Sequence, residues 1–453
     1  MSELFQVAGR RVVVVGAARS GVAAAELLAR KGAHVTLSEA APAIAEAERL
    51  RAAGIALEVG GHRAATFASA ELVVVSPGVP PRQPFLTAAA DRGVEVIGEL
   101  ELASRWLQGP VIAITGTKGK STTTTLIGRM LEAAGRDVLV GGNIGVPLAS
   151  QVEASRPDVV HVVEVSSFQL ETTVHFKPWI AVWLNLADDH LDRHASRATY
   201  ASAKARIFRN QTPADWAVVN ALDPEVVRQS EGVAARRVSF ALTPVGSVGE
   251  ALFTIDGGWV TRRSASGADR LVPTSAVELA GRHMLNNVLA ATAVATIAGL
   301  SNAAIREGLS GFRGLEHVME PVGTVGRVSF VNDSKATNVE SAARSIESFT
   351  GVVAIIGGRF KGGDLRELRE PVREHAVGVV AIGESAQLVK NAVGDLVPVK
   401  MAYSMREAVE AAYELVPPDG VVLLAPACAS FDWFSDYAER GRAFKEEVAA
   451  LRG

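Results

Sequence analysis

The residues best suited to do chemistry lie in Gly116-Thr-Lys-Gly-Lys-Ser-Thr122, directly after the apolar run Val111–Thr115 and ahead of a helix-forming segment that ends at Gly135. A strand that feeds a glycine-rich turn into a helix gathers backbone N–H groups at one point, and the helix dipole favours an anion there. The chemistry this suits is phosphate binding, with Lys120 placed for the β- and γ-phosphates of a nucleotide and the Ser121 hydroxyl for Mg²⁺. A strict Walker spacing would put glycine at 114, where Ile114 stands, so the pattern is the shorter Gly-Thr-x-Gly-Lys-Ser.

A second apolar run, residues 159–165, carries Glu164 and ends in Ser166-Ser167-Phe168-Gln169. A carboxylate embedded in a buried strand is costly unless it meets a cation, and Mg²⁺ at the phosphate loop would be that cation. A third run, 180–186, leads into Asp188, Asp189, His190 and Asp192. Open α/β sheets bind ligands at the C-terminal edge of their strands, which makes His190 a candidate ligand for a second metal.

Two further regions carry anion signals. Near the N-terminus, strand 11–15 is followed by Gly16-Ala-Ala-Arg-Ser-Gly21 and, about twenty residues on, by Glu39. This is a Rossmann-like fingerprint with Ala18 at the middle glycine; alone it would suggest NAD. The turn Ser76-Pro77-Gly78, after strand 72–75, could face the same ligand. Towards the C-terminus, Val331 to Asn338, Gly357 to Lys361 and Ala425 to Asp432 each follow a predicted strand. Lys335, Lys361 and Ser430 would then converge on one sheet edge as a cradle for an anion.

The elements that position these residues follow from the pattern of the whole chain. Its 453 residues, at roughly 150 per domain, suggest about three domains. β-Branched runs alternate with Ala/Leu/Glu-rich segments, the βαβ pattern of parallel sheets. Residues 231–273 differ: few helix formers and the hairpin signal Asp256-Gly257-Gly258 predict a small antiparallel insertion. Uncharged, Ala-rich residues 287–300 predict a buried helix, too short for a membrane span. The run Gly308 to Gly314 suits a linker, and boundaries are expected near Gly98 and Gly314, giving domains 1–98, 99–313 and 314–453. A net charge of −3, from 46 basic and 49 acidic residues, leaves no basic footprint for nucleic acid. One cysteine, Cys428, excludes an internal disulfide and fits a reducing compartment, and residues 1–11 do not read as a secretory signal, so the cytoplasm is expected.

Taken together, these motifs, with Gly141-Gly-Asn-Ile-Gly145, Glu164 to Thr172, Asp189 to Arg193 and Tyr200-x3-Lys204, resemble the Mur ligases, ATP-dependent amide-forming enzymes of peptidoglycan precursor synthesis. Asp333 to Asn338 and Pro426 to Asp432 resemble the D-glutamate-adding branch. The resemblance implies an α/β chain of three domains: a Rossmann-like N-terminal domain for a UDP-sugar, a central P-loop-type ATPase domain with a mainly parallel sheet, and a Rossmann-like C-terminal domain for the amino acid. It implies joining of D-glutamate to UDP-N-acetylmuramoyl-L-alanine through an acyl phosphate, with ATP, two Mg²⁺ sites and a carbamylated Lys204, in a monomer. By this resemblance ATP falls to Gly116, Thr117, Lys118, Gly119, Lys120, Ser121, Thr122, Asn287, His317 and Asp333. The UDP-substrate falls to Arg19, Ser20, Glu39, Ser76, Pro77, Gly78, Asn143 and Ser166. D-glutamate falls to Lys335, Thr337, Lys361, Ser430 and Phe431, and metal to Ser121, Glu164, His190 and Lys204. Lys118, Met284 and Val318 depart from the residues usual in the family. A sister ligase for another amino acid, a folylpolyglutamate-synthase-like enzyme and a non-catalytic nucleotide-binding protein remain as rival readings.

Overall fold

The computed structural model describes residues 5–44, 46–80, 82–187, 193–194, 196–246, 249–277, 282–360, 362 and 364–452; His190 and Lys361 lie outside them. The chain forms two compact units, residues 1–312 and 313–453. The first unit holds two sheets and the second holds one.

Five strands make the first sheet: β1 (Arg11–Val15), β2 (His34–Glu39), β3 (Ala56–Val59), β4 (Leu72–Val75) and β5 (Glu95–Gly98). Their order is β3-β2-β1-β4-β5 and every pairing is parallel. This is the doubly wound arrangement, in which the order reverses beside β1 and opens a crevice at the strands' C-terminal ends. The Gly16 and Ser76 turns, after β1 and β4, flank that crevice.

Nine strands make the second sheet: β6 (Val111–Thr115), β7 (Val138–Gly142), β8 (Val160–Glu164), β9 (Ile180–Trp183), β10 (Trp216–Asn220), β11 (Arg236–Ala241), β12 (Ala251–Asp256), β13 (Trp259–Ser264) and β14 (Gly267–Pro273), in the order β14-β13-β12-β11-β10-β9-β6-β8-β7. The first seven pair in parallel; β13 and β14 are antiparallel. The expected separate antiparallel insertion at 231–273 is therefore corrected. β11 and β12 continue the parallel sheet because their apolar runs bury both faces, and only the last two strands fold back. The Gly257-Gly258 turn does join β12 to β13, with both glycines at positive φ, as a two-residue hairpin requires. The predicted buried helix is Arg282–Ile297, packed on the helix Lys120–Ala133 that follows the phosphate loop.

The second unit holds β15 (Glu320–Val325), β16 (Val328–Asn332), β17 (Val352–Gly357), β18 (Ala376–Ile382), β19 (Val399–Ala402) and β20 (Val421–Leu424), ordered β15-β16-β20-β17-β18-β19. All pairings but β15–β16 are parallel, with an apolar cluster on each face. Ends of β16, β20 and β17 are thereby brought side by side.

Two buried glutamates of helix Glu99–Ser104 tie the first sheet to the second. Glu101 accepts the N–H groups of Val174, His175 and Phe176 and pairs with Arg105. Glu99 accepts the Ala149 N–H through Oε1 at 2.6 Å, and its Oε2 is buried without a hydrogen-bond partner among the described residues. Burial pushes the Glu99 carboxyl up to about 7, against the opposing pull of the Ala149 and Leu148 N–H groups. A carboxyl raised on folding stabilises while protonated, and that contribution is lost as pH rises through about 7. Glu99→Gln should thus match the wild type near pH 4 and exceed its stability at pH 8.5 by up to about 3 kcal/mol, read from denaturant unfolding of the full chain at the two pH values. Equal stability differences at both would refute the assignment.

Candidate active site

Sheet register builds the first half of the site. Ile114 of β6 and Gly142 of β7 are both paired with Glu164 of β8, so three strand ends meet around one carboxylate. The loop after β6 turns through Gly116 (φ 153°) and Gly119 (φ 83°) into the helix Lys120–Ala133. Asn185, after β9, shapes this loop: its Oδ1 accepts the N–H groups of Thr117 and Lys118 at 3.0 and 2.9 Å, and its Nδ2 donates to the Lys118 carbonyl at 3.0 Å. The first N–H groups of the following helix, which lack acceptors within it, remain to meet an anion. A Cβ on Gly119 would overlap Asn287 Oδ1, which places Asn287 of the buried helix against the loop.

Lys120 Nζ donates to the carbonyls of Gly116 and Thr117 at 3.0 and 2.9 Å. Ser121 Oγ donates to Glu164 Oε2 at 2.6 Å, and Asn143 Nδ2 donates to Oε1 at 2.8 Å. Glu164 is 2% exposed, and among the described residues no cationic side chain lies within ion-pair distance of it. Lys204, 1% exposed, donates from Nζ to the Gly116 carbonyl at 2.9 Å and lies over the Tyr200 ring. Tyr200 in turn meets Thr117 Oγ1 at 3.3 Å. Ser166 caps the short helix Ser167–Glu171 through a reciprocal bond with Gln169.

A cavity of about 440 Å³ opens from this cluster along the first sheet. Its walls include Arg19, Ser20, Glu39, Ser76, Pro77, Gly78 and Asn143. Ser76 Oγ donates to the Gly16 carbonyl at 2.9 Å, joining the two N-terminal turns. A Cβ on Gly21 would overlap that same carbonyl, so glycine is required there. Glu39 lines the wall, but its carboxylate accepts the chain's own N–H groups of Ala17 and Ala41 at 2.6 and 3.0 Å. Burial acts to raise its pKa, and the N–H donors outweigh it and hold the carboxyl below the usual range. The sequence reading did not single out His62, which also lines the cavity, or Asn185. No local motif marks either: His62 reaches the wall from the segment after β3, and Asn185 acts through backbone contacts.

In the second unit, three strand-end loops converge. Ala427 N–H donates to the Ala336 carbonyl at 2.9 Å, Gly357 N–H to the Pro426 carbonyl at 2.8 Å, and Arg359 and Ala429 exchange backbone bonds. Lys335 and Thr337 lie partly buried on the first loop; Ser430 is buried and Phe431 exposed on the second. Asp333, predicted for the nucleotide, is buried and accepts the Ser345 hydroxyl and the Met319 N–H; desolvation raises its pKa against those bonds. His317 (φ 63°) is buried beneath the same loop, its Nδ1 accepting from Asn332 Nδ2 at 2.9 Å, and burial lowers its pKa. Its Nε2 has no hydrogen-bond partner among the described residues and lies 3.9 Å from Glu316 Oε2.

A phosphate loop beside a buried carboxylate, on a chain of three mostly parallel sheets, defines a nucleotide-dependent α/β enzyme, and the chain belongs to the Mur ligase family. Models of that family match it in order: the MurD-like N-terminal domain at residues 10–98, the middle domain at 114–295 and the glutamate ligase domain at 319–428. The chain is 44% identical to a UDP-N-acetylmuramoylalanine--D-glutamate ligase of Acidobacterium capsulatum, covering 99% of this chain and 98% of that one. It is 43% identical to the protein of the same name from Geobacter metallireducens, over 99% of each. Among solved structures it shares the fold of the UDP-N-acetylmuramate-alanine ligase MurC of Thermotoga maritima, with a TM-score of 0.57 at 19% identity over 97% of this chain and 99% of that one.

Gly119→Ala is expected to weaken ATP or ADP binding at least about tenfold, since a side chain at positive φ costs roughly 1–3 kcal/mol and would also displace Asn287. Calorimetric titration with ADP reads this directly; unchanged affinity would remove the loop from the nucleotide site.

Proposed function

We propose that the protein joins D-glutamate to the L-alanine carboxylate of UDP-N-acetylmuramoyl-L-alanine at the expense of ATP, in the cytoplasmic assembly of peptidoglycan precursors. The observation that supports this most directly is Asn143, which lines the cavity on the first sheet and donates to Glu164 beside the phosphate loop. A UDP-sugar held by the Gly16 and Ser76 turns would extend its acyl end towards the phosphates.

A carboxylate is a poor electrophile because oxide is a poor leaving group. In the reading proposed here a carboxylate oxygen of the substrate attacks the γ-phosphorus of ATP, the bond to the β-phosphate oxygen breaks, and ADP leaves. The amine of D-glutamate then attacks the acyl carbon of the resulting acyl phosphate. Inorganic phosphate departs with the bonding electrons, and the amine loses a proton. Lys120, released from the two loop carbonyls, neutralises charge on the transferring phosphoryl group, and the helix N–H groups hold the nucleotide's phosphates.

Glu164 and Ser121 offer hard oxygen donors, and a carboxylate buried with only neutral partners among the described residues fits a site that takes up Mg²⁺. When bound, Mg²⁺ supplies charge neutralisation for the phosphates. Two such sites are part of the reading, with His190 assigned to the second. Lys204 belongs here as a carbamate, formed when its amine adds to CO₂ with loss of a proton, which replaces a cation by a carboxylate-like ligand. Thr337, Lys361 and Ser430, with Lys335 and Phe431 beside them, would hold the two carboxylates of D-glutamate, and Asn287, His317 and Asp333 would complete the nucleotide's surroundings.

The deciding assay is ADP release that requires both UDP-N-acetylmuramoyl-L-alanine and D-glutamate; release with either alone, or with neither, would exclude the reading. Lys120→Ala should lower kcat about 10²- to 10³-fold while leaving UDP-substrate binding intact. Lys204→Ala should be inactive and partly restored by millimolar short-chain carboxylates, which can enter the space of the lost carbamate. Full activity of Lys204→Ala without such an addition would remove the carbamate from the mechanism.

A further inference from the structure

The second unit contains a buried cation that the reaction scheme leaves unused. Arg440, on helix Tyr437–Ala450, is 1% exposed. Its Nε donates to Ser334 Oγ at 3.0 Å, its Nη2 to the Ser334 carbonyl at 2.9 Å and its Nη1 to the Cys428 carbonyl at 3.1 Å. Ser334 Oγ gives its own proton to the Tyr437 carbonyl at 2.7 Å, so towards Arg440 it can only accept. A Cβ built on Gly358 would come within 3.2 Å of Nη1, so the third loop also closes on this guanidinium. Arg440 thus lies behind all three strand-end loops: Ser334 is in the one bearing Lys335 and Thr337, Cys428 in the one bearing Ser430, and Gly358 in the one leading to Lys361.

Every one of its hydrogen-bond partners is neutral. Among the described residues no carboxylate lies within ion-pair distance of Arg440. Burial works against the charge, while Cys428 and, after it, Asp432 favour it, and the Asp432 carboxylate is engaged by the Glu384 N–H. Burial pulls the Arg440 pKa down, to about 10, which leaves the group protonated at neutral pH. A buried charge whose hydrogen-bond partners among the described residues are all neutral is costly to the free protein, and an anion brought close to it recovers part of that cost.

We propose that Arg440 is the positioning residue of the amino-acid pocket, fixing the three loops in one geometry and supplying through them the positive field that draws in a dicarboxylate amino acid. This rests on the D-glutamate reading above. It does not require Arg440 to touch the substrate, since the loops stand between them. Selectivity for an acidic side chain then has a source beyond the pocket's own donors: an amino acid with an ammonium side chain would meet the same field as repulsion.

Steady-state kinetics of the full chain test this with R440M and R440K, each checked by thermal melting. R440M, of similar length and without charge, should raise the KM for D-glutamate at least tenfold, with KM for ATP and for UDP-N-acetylmuramoyl-L-alanine within twofold of wild type. R440K, which keeps the charge and loses the fork, should raise the D-glutamate KM less than R440M, and added methylguanidinium should restore part of the loss in R440A. Parallel changes in all three KM values, or equal effects of R440M and R440K, would make Arg440 a structural strut and overturn the inference. If R440M fails to fold, R440K decides alone: an unchanged split among the three KM values overturns it, a selective rise for D-glutamate supports it. Wild-type ADP release that ignores D-glutamate would overturn the functional reading itself, a separate outcome.

Discussion

Glu164 is the constraint from which the arrangement of the first unit follows. Removing a carboxylate from water costs several kcal/mol unless charge or hydrogen bonds replace the solvent, and here Ser121 and Asn143 supply only neutral donors. For those donors to reach it, β8 must lie between β6 and β7, so that Ser121 arrives from one neighbour's loop and Asn143 from the other's. The register then leaves little freedom. Gly142 faces Glu164 at φ 99°, where a Cβ would overlap the Glu164 carbonyl, and Asn143 N–H bonds that same carbonyl at 2.9 Å. Moving β8 by one residue would turn Glu164 to the opposite face of the sheet and dismantle the site.

Asn143 has a second consequence. It belongs to the wall of the cavity on the first sheet and also holds the carboxylate beside the phosphate loop, so the two binding regions share a side chain. Arg19 reinforces the join by donating to the Gly145 carbonyl at 3.1 Å, and Arg193 does so by donating to the carbonyls of Pro77 and Val79. Contacts of this kind relate one strand-end loop to another without passing through the apolar cores. Glu99 and Glu101 perform the same task at depth, which is why two acids that look expensive in isolation occupy the first turn of one helix.

Much of this was legible in the chain because the chemistry sits in short motifs at strand ends. Periodicity and glycine placement located β1, β4, β6 and β20 at their observed bounds, and the Gly116 to Thr122 loop and Glu164 could be paired because a lone acid in an apolar strand demands a cation. Sequence could not show that the Glu39 carboxylate is taken by Ala17 and Ala41, because that depends on how tightly the Gly16 turn closes. It also misjudged residues 231–273, since the same glycine-rich hairpin signal serves a free-standing insertion and the edge of a larger sheet. Arg440 was invisible for a third reason: it lies 106 residues from Ser334, its main partner, and an arginine in a polar helix looks like a solvated surface charge.

The two units solve opposite electrostatic problems in the same way. At the phosphate loop an anion, Glu164, is surrounded by neutral donors; in the second unit a cation, Arg440, is surrounded by neutral acceptors. Had each been given a permanent counter-ion, the free protein would be more stable and each field would be cancelled before a ligand arrived. Dipoles hold the charge in position without neutralising it, and in the function proposed above the compensating charge comes from what binds: a cation with its nucleotide in one case, an acidic amino acid in the other. The cost of burying each charge is then carried by the unliganded protein and offset on binding, and stability is thereby linked to occupancy. Preorganised, uncompensated charge is also what makes electrostatic stabilisation effective during a reaction, because no side chain has to reorganise as charge develops.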